Sequence, residues 1–412
     1  MKPATAKSAL TPRLRFPEFR KAPGWDACPL QEIAEFVGDR VSVAELNRAD
    51  YVSTENLLPD FGGFSLPSSF PTGGSVVRYR ANDILAANIR PYLKKIWLAD
   101  RNGGASNDVL VIRAQTSINH QYLSYVLKND RFVAYVMSGA KGLKMPRGDV
   151  SLIREYPVPT PSLLEQHRIA SCLSSLDDLV AAERQQLDAL KAHKQGLMQQ
   201  LFPREGEPRP RIRFPEFQNA GEWASEPLGE LGEIVTGKTP STKESDLWGG
   251  DILFITPTDI SEDAKYQHTT ARTVVETKST KILPAGSVVY TCIASIGKMA
   301  LTVHPSVTNQ QINAVVPKEK ALGEFIYYAL ANLTPWIKTI PASSTLAIIN
   351  KTEFSKIAIL HPRDKTEQNR IASCLTSLDD LIAARSDKVE ALKTHKKGLM
   401  QQLFPAPAEV AG

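Results

Sequence analysis

Basic, amide and aromatic side chains concentrate in two stretches of this 412-residue chain. Lysine and arginine neutralise phosphates, while arginine, asparagine and glutamine can form paired hydrogen bonds with the edges of nucleic-acid bases. Tyr92 lies among three cations, Arg90, Lys94 and Lys95, which makes this the most suggestive group. The candidate contact residues are Arg90, Tyr92, Lys94, Lys95, Arg101, Asn107, Lys144 and Arg147 in the first stretch and Lys238, Thr239, Lys243, Lys298, Gln310, Gln311 and Lys351 in the second. A solvated surface has a similar composition, so the pattern leaves that alternative open.

One segment matches a nucleotide-binding motif by its letters. Residues 232–239, GEIVTGKT, fit the phosphate-loop pattern GxxxxGK[ST]. A true phosphate loop joins a buried strand to a helix, so that backbone amides face the phosphates. Here a Pro-Leu-Gly-Glu segment precedes the motif and Pro240 follows it, and residues 34–40 of the first half carry no lysine. We therefore predict a loop without a nucleotide.

No residue of the chain is predicted to be catalytic, to bind a metal or to hold a cofactor. The seven histidines are scattered, and the repeated pairs Asp177-Asp178 and Asp379-Asp380 lie on polar helix faces. Salt bridges or partner contacts explain such carboxylates better than catalysis. The chain also lacks an Asn-Pro-Pro-Tyr methylation motif, a glycine-rich methyl-donor loop and a nuclease carboxylate–lysine cluster.

The candidate residues are distributed over an internal repeat. Residues 165–203 recur without a gap as residues 367–405, with 28 of 39 positions identical. The word RLRFPEF at residues 13–19 likewise returns as RIRFPEF at residues 211–217. The repeat predicts two α/β (α+β) domains joined by two long helices that form an antiparallel coiled coil, with internal pseudo-two-fold symmetry. The predicted segments are a disordered N-terminus at 1–12, domains at 13–159 and 206–361, helices at 160–205 and 362–405, and a tail at 406–412.

Apolar residues spaced alternately by four and three positions predict the helix pairing. An extra apolar flank beside this stripe indicates packing against partner helices, or alternatively against the chain's own domains. The residues assigned to pairing and docking are Ile169, Cys172, Leu173, Leu176, Leu179, Glu183, Leu187, Leu190, Leu197, Ile371, Leu375, Leu378, Leu381, Arg385, Leu392 and Leu399. A Phe-Pro pair should end each helix, because proline cannot continue the hydrogen-bond ladder.

One stripe position carries opposite charges in the two helices. Glu183 in the first helix corresponds to Arg385 in the second, and both lie near the middle of their helices. In an antiparallel pair these positions approach each other. We predict that they form one ion pair and hypothesise that it sets the register of the helices.

Composition sets few further limits. A net charge of +5 with a pI near 8.8 permits nucleic-acid binding without requiring it. The four cysteines form no CxxC pair and the N-terminus has no apolar core typical of a signal peptide, so we expect a reduced, cytoplasmic protein.

Three sequence motifs point to a known family. They are EQxRIASCLxSLDDLxAA, which occurs twice, TGKTPS and TNQQINAVV. From about residue 13 to residue 405, the chain resembles the specificity subunit of type I restriction–modification systems. The resemblance implies that each domain recognises one half of an asymmetric DNA site. It implies as partners double-stranded DNA, two methyltransferase subunits and restriction (motor) subunits. Those partners would use S-adenosylmethionine, ATP and Mg, with no cofactor on this chain. The alternatives are a coiled-coil scaffold without DNA recognition and a self-contained DNA-modifying enzyme.

Overall fold

A computed structural model describes residues 10–142, 144–262, 264–277, 280–339 and 348–405. The chain divides into two compact units, Met1–Ala181 with Glu390–Gly412, and Ala182–Val389. The predicted tail at 406–412 and the first nine residues of the predicted disordered N-terminus lie outside the described residues. Within the described ranges, no helix combines the length and apolar character needed to cross a membrane.

The first unit contains a mixed α/β domain, which confirms the predicted fold class. Two four-stranded sheets, β2-β9-β6-β7 and β3-β5-β8-β4, and a two-stranded ribbon, β1-β10, form it. The strands are β1 (Asp26–Pro29), β2 (Ala34–Phe36), β3 (Arg40–Ser42), β4 (Tyr51–Val52), β5 (Ser75–Tyr79), β6 (Ile84–Ala87), β7 (Ile96–Leu98), β8 (Gly103–Ala105), β9 (Val109–Ala114) and β10 (Pro157–Thr160). The helices are α1 (Leu30–Ile33), α2 (His120–Leu127), α3 (Asp130–Ser138), α4 (Val150–Arg154) and the first part of α5 (Leu163–Leu201).

The second unit repeats this plan with longer central elements. Its sheets are β12-β19-β16-β17-β14 and β15-β13-β18, with the ribbon β11-β20. The strands are β11 (Ala224–Pro227), β12 (Gly232–Thr236), β13 (Trp248–Ile255), β14 (Tyr266–Gln267), β15 (Thr273–Val274), β16 (Val288–Thr291), β17 (Met299–Thr302), β18 (Ser306–Thr308), β19 (Ile312–Pro317) and β20 (Ala358–His361). The helices are α6 (Leu228–Leu231), α7 (Gly323–Ile337), α8 (Lys351–Lys356) and the first part of α9 (Lys365–Leu403).

Each long helix has 39 residues and ends immediately before its Phe-Pro pair, as predicted. Within the second unit, Lys194 of α5 pairs with Asp379 of α9, and Glu183 pairs with Arg385. As residue numbers rise along α5, the residue numbers of the α9 partners fall, so α5 and α9 run antiparallel. Within the first unit, Lys396 pairs with Asp177. The predicted antiparallel pairing is confirmed, as is the assignment of these two aspartates to salt bridges.

The predicted ion pair at the middle of the helices is also present. A nitrogen of Arg385 lies 2.5 Å from a carboxylate oxygen of Glu183. Lys388 lies 2.6 Å from the other oxygen, so two cations share the carboxylate. Hydrogen bonds from Lys388 and Arg385 lower the pKa of Glu183 below its usual value. The role of the pair in setting register stays a prediction.

A buried carboxylate binds the first turn of each long helix to the adjoining domain. In the first unit, the Arg15 guanidinium donates to both oxygens of Glu165 at 2.7 and 2.8 Å, and the Trp25 indole donates at 3.2 Å. In the second unit, Arg213 and Trp223 bind Glu367 in the same way. The repeated RxRFPEF word, the tryptophan and the EQ dipeptide are therefore parts of one contact, made once in each unit.

The glutamine of the EQ dipeptide also forms hydrogen bonds with the adjoining domain. The Gln166 side chain accepts from the Asn119 backbone N–H ahead of α2 and donates to the Pro161 carbonyl. In the second unit, Gln368 accepts from the Leu322 N–H ahead of α7 and donates to the Pro362 carbonyl. Each long helix thus fixes the start of the helix that packs on the domain's sheet.

The Arg15–Glu165 contact should contribute more to stability than an exposed pair on the same helix. Glu165→Gln leaves the buried Arg15 without its counter-charge, and we expect it to lower the free energy of unfolding by roughly 3–5 kcal/mol. Glu18→Gln removes the exposed partner of Arg168 and should cost less than about 1 kcal/mol. Urea denaturation followed by circular dichroism measures both changes. If both variants lose the same free energy of unfolding, the Arg15–Glu165 contact is no more important for stability than the exposed pair.

Exchange of the charges at the middle of the helices tests the register hypothesis. Glu183→Arg places three cations together and should lower the thermal midpoint of the chain. The double variant Glu183→Arg, Arg385→Glu restores an opposite-charge pair, and its midpoint should return most of the way. If the single and double variants melt alike, the pair does not specify the register.

Candidate nucleic-acid interface

Three loops of the first domain meet at one end of its sheets. We call residues 88–95, 106–108 and 144–148 the first loop surface. The Asn88 N–H donates to the Asp108 carbonyl at 2.8 Å, and the Gly148 N–H donates to the Asn88 carbonyl at 3.0 Å. The Arg90 N–H donates to the Pro146 carbonyl at 2.8 Å. These backbone bonds bring most of the candidate residues of this domain together.

The first loop surface exposes cations around an aromatic ring. Arg90, Tyr92 and Lys144 are exposed, and none of them makes an ion pair with the described part of the chain. Arg90 has a φ of 51°, in the left-handed region that a non-glycine residue adopts only at a cost. Arg147 is exposed but pairs with Asp108 in the neighbouring loop. The surface therefore carries two exposed cations without an ion pair, Arg90 and Lys144, and one, Arg147, that Asp108 neutralises.

Two lysines of the same loop are occupied within the domain. The Lys94 ammonium lies 2.7 Å from the Asp130 carboxylate, and this contact raises the pKa of Lys94. The Lys95 ammonium donates to the Thr54 carbonyl at 2.6 Å. Both side chains are half-buried. To contact a phosphate they would first have to leave these partners, which makes them weaker candidates than Arg90 and Lys144.

Arg101 does not reach the first loop surface. It lies between β7 and β8, at the end of the sheets opposite to loop 106–108, and it pairs with Asp100. Asn107 does belong to the surface, and its side-chain oxygen accepts from Arg40 at 3.2 Å. Sequence reasoning missed Arg40. One signal was available in the sequence. Arg40 follows a turn in the first half of the chain, and the corresponding turn in the second half contains the TGKTPS segment.

The second domain places corresponding loops together. We call residues 237–243, 292–298, 309–311 and 348–351 the second loop surface. The Cys292 N–H donates to the Gln311 carbonyl at 2.8 Å, and the Ile349 N–H donates to the Cys292 carbonyl at 3.0 Å. The Gly237 N–H donates to the Ile312 carbonyl at 3.2 Å. All seven candidate residues of this domain belong to the surface.

Amides and hydroxyls are more prominent on the second loop surface than on the first. The Thr239 hydroxyl donates to the Gln310 side chain at 2.8 Å, and Gln311 accepts from Asn309 at 2.9 Å. Exposed Lys238, Lys243 and Lys351 surround them and make no ion pair within the described ranges. Lys298 is half-buried and lines a cleft of about 570 Å³ beside α7. The two surfaces therefore offer different sets of donors and acceptors.

The phosphate-loop match is a strand that leads into a loop, and only the loop had been predicted. Residues Gly232–Thr236 form the strand β12, which pairs with β19, and residues 237–243 continue without entering a helix. Without a helix N-terminus the backbone amides have no dipole behind them to hold a phosphate. Elsewhere in the described residues, no group of three His, Cys, Asp or Glu side chains is placed to hold a metal ion.

The residues assigned to helix pairing and docking occupy different environments. Ile169 and Leu173 lie in the core of the first domain, and Ile371 and Leu375 lie in the core of the second. The first turns of each long helix therefore pack these stripe residues on the adjoining domain, where the sequence had predicted pairing between the helices. Leu187 is buried, whereas Leu179 and Leu381 are 41% and 55% exposed. The remaining apolar members, which are half-buried, are Cys172, Leu176, Leu190, Leu197, Leu378, Leu392 and Leu399.

The family model for the type I restriction modification DNA specificity domain matches residues 83–192 and 220–393, which is more than half of the chain. The chain therefore belongs to this family. It is 31% identical over 190 residues to the specificity subunit of the MjaIX type I restriction enzyme of Methanocaldococcus jannaschii, covering 44% of each chain. It is 35% identical over 146 residues to the HindI specificity subunit of Haemophilus influenzae, covering 34% of this chain and 32% of that relative. The matched segments span less than half of these two relatives.

The fold has a solved counterpart over nearly the whole chain. The crystal structure of a type I restriction–modification S subunit from M. genitalium superposes with a TM-score of 0.60 at 16% identity, covering 97% of this chain and all of that one. At this identity the likeness concerns the fold. The loop surfaces described above are therefore properties of this sequence and cannot be transferred from that structure.

Gly237 should be required for the second loop surface to form. A Cβ at this position would lie 2.2 Å from the Thr308 carbonyl oxygen and 2.3 Å from that of Asn309. Because both are backbone atoms, Gly237→Ala must separate the two loops, and we expect faster amide exchange across residues 308–311. Gly38→Ala, in the corresponding turn of the first domain, meets nothing within 4 Å and serves as the control. Unchanged exchange in Gly237→Ala would contradict this packing.

Proposed function

We propose that the chain is the DNA-recognition subunit of a type I restriction–modification complex. The observation that carries this proposal is that two repeated scaffolds hold two chemically different loop surfaces. Identical surfaces on such a repeat would suit a palindromic site, whereas different surfaces suit two unrelated half-sites at a fixed separation. Exposed lysines and arginines supply the phosphate contacts, and the amides supply hydrogen bonds to base edges.

The exposed part of the helix pair is the proposed docking site for two methyltransferase subunits. Leu179 and Leu381 occupy equivalent positions in the repeat and are exposed, so both are available to a partner at the same place on each helix. The partners would supply S-adenosylmethionine and the base-flipping pocket for adenine methylation. Restriction subunits would add ATP- and Mg-dependent motor and nuclease activity. The chain itself would be non-catalytic and would act in the cytoplasm.

Co-expression tests the proposal directly. The chain is produced with its methyltransferase subunit in a host without adenine methylation, and modification-resolved sequencing locates methylated adenines in the host genome. We expect one asymmetric motif of two parts, methylated on both strands. A stable complex without any methylated motif would instead support the alternative, a coiled-coil scaffold without DNA recognition.

Lysines of the second loop surface should contribute to DNA affinity through counterion release. The double variant Lys238→Gln, Lys351→Gln should lower the slope of log affinity against log salt by roughly 2, because each phosphate contact contributes about 0.9. Fluorescence anisotropy with a duplex carrying the methylated motif measures this slope. Lys320→Gln removes one lysine charge outside the second loop surface, where Lys320 pairs with Glu226 of β11, and should leave the slope unchanged. Equal slopes in all variants would show that Lys238 and Lys351 do not contact DNA phosphates.

A further inference from the structure

One aspartate of α5 is shared by three elements of the first unit. The Tyr125 hydroxyl, on α2 of the domain, donates to one oxygen of Asp177 at 2.7 Å. The Lys396 ammonium, on α9, donates to the other oxygen at 2.5 Å. The ammonium also lies 5.1 Å from the centre of the Tyr125 ring. A single carboxylate therefore joins the domain to both members of the helix pair.

The second unit contains the same arrangement with the helices exchanged. The Tyr328 hydroxyl, on α7, donates to one oxygen of Asp379 on α9 at 2.6 Å. The Lys194 ammonium, on α5, donates to the other oxygen at 2.5 Å and lies 5.4 Å from the Tyr328 ring. Asp177 and Asp379 are equivalent positions of the repeat, and so are Lys194 and Lys396. We call each set a Lys–Asp–Tyr triad.

The triads are charge-assisted contacts in a partly desolvated place. Burial, together with the neighbouring carboxylate, raises the pKa of both tyrosines well above the ordinary value, so the hydroxyls stay protonated and donate. Hydrogen bonds to an ionised acceptor are shorter and stronger than neutral ones. A domain that rotated on the helix pair would break the tyrosine contact and leave the aspartate and lysine to rearrange.

A further lysine lies near each triad, and the contacts of these two lysines differ. In the first unit, burial and repulsion from Lys396 lower the pKa of Lys128 to about 8. In the second unit, Lys265 is buried beside the triad, donates to Thr376 of α9 at 2.5 Å and lies 3.3 Å from Glu324 of α7. Lys265 therefore adds a hydrogen bond between the second domain and α9, although burial lowers the pKa of Lys265 as well.

We propose that the two Lys–Asp–Tyr triads are positioning residues: they fix the orientation of each recognition domain on the helix pair and so determine which separation of the two half-sites the complex accepts. The inference rests on the proposed function. Within the part of the chain that the structure describes, no hydrogen bond or ion pair joins a triad to a loop-surface residue, so the triads should affect the spacer between the half-sites and leave the recognised bases unchanged.

The test is a Tyr125→Phe, Tyr328→Phe double variant in the co-expressed methyltransferase complex. Both changes keep the ring and remove only the hydroxyl that binds the aspartate. The substrate is a DNA library that carries both half-sites with the spacer one base pair shorter, unchanged or one base pair longer. We expect methylation of the altered spacers, relative to the correct one, to rise by at least about tenfold, because the double variant removes one charge-assisted hydrogen bond from each triad.

Matched controls separate positioning from stability. Tyr122→Phe removes a buried hydroxyl that donates to the Pro159 carbonyl, and Tyr290→Phe removes one bonded to Thr334, and neither contact involves a long helix. These controls should keep the spacer preference of the unaltered chain. An unchanged preference in the triad variant, or the same relaxation in the controls, would overturn the inference. If the unaltered chain methylates no motif, the proposed function itself has failed and the inference falls with it.

Discussion

The structure depends on a buried carboxylate in the first turn of each long helix. Glu165 and Glu367 each accept hydrogen bonds from an arginine and a tryptophan that lie about 150 residues earlier in the chain. An ionised carboxylate with this burial is stable only with such partners. The contact closes each domain and sets the direction in which the long helix leaves it. Side chains between the tryptophan and the long helix take no part in this contact and can differ between the two units, whereas the arginine word, the tryptophan and the glutamate recur in both.

Most of the scaffold could be predicted from the sequence because it is encoded by local patterns. The four–three spacing, the Phe-Pro helix ends and the Glu183–Arg385 exchange depend on residues close together or related by the repeat, and the structure confirms each of them. The mixed α/β class follows from strand-like alternation in segments such as β9 and β19. The first turns of the long helices were assigned to pairing and docking, yet Ile169 and Ile371 lie in the domain cores, because a periodic stripe does not show which surface covers it.

The candidate interface was predictable only in outline. By residue type, Arg90, Lys94 and Lys95 were equally good candidates for DNA contact. In the structure, however, Lys94 pairs with Asp130 and Lys95 donates to the Thr54 carbonyl, and no short-range sequence pattern could indicate these partners. Arg101 failed to join its group because a strand, β8, carries the chain to the opposite end of the sheets before Asn107. The Lys–Asp–Tyr triads were missed for the same reason: their three members come from three separate elements, and the sequence predicted only salt bridges or partner contacts for the aspartates.

The central claim is that the repeat provides two equivalent scaffolds and that the divergent domain on each one determines half of the recognised site. The most direct measurement uses a chain in which residues 13–164 are replaced by residues 211–366, with both junctions at the start of a repeated segment. Modification-resolved sequencing of a host expressing this chain with the methyltransferase subunit should locate a palindromic motif built from the second half-site alone. An asymmetric motif that still contains the original first half-site, from a complex that purifies intact, would contradict the account.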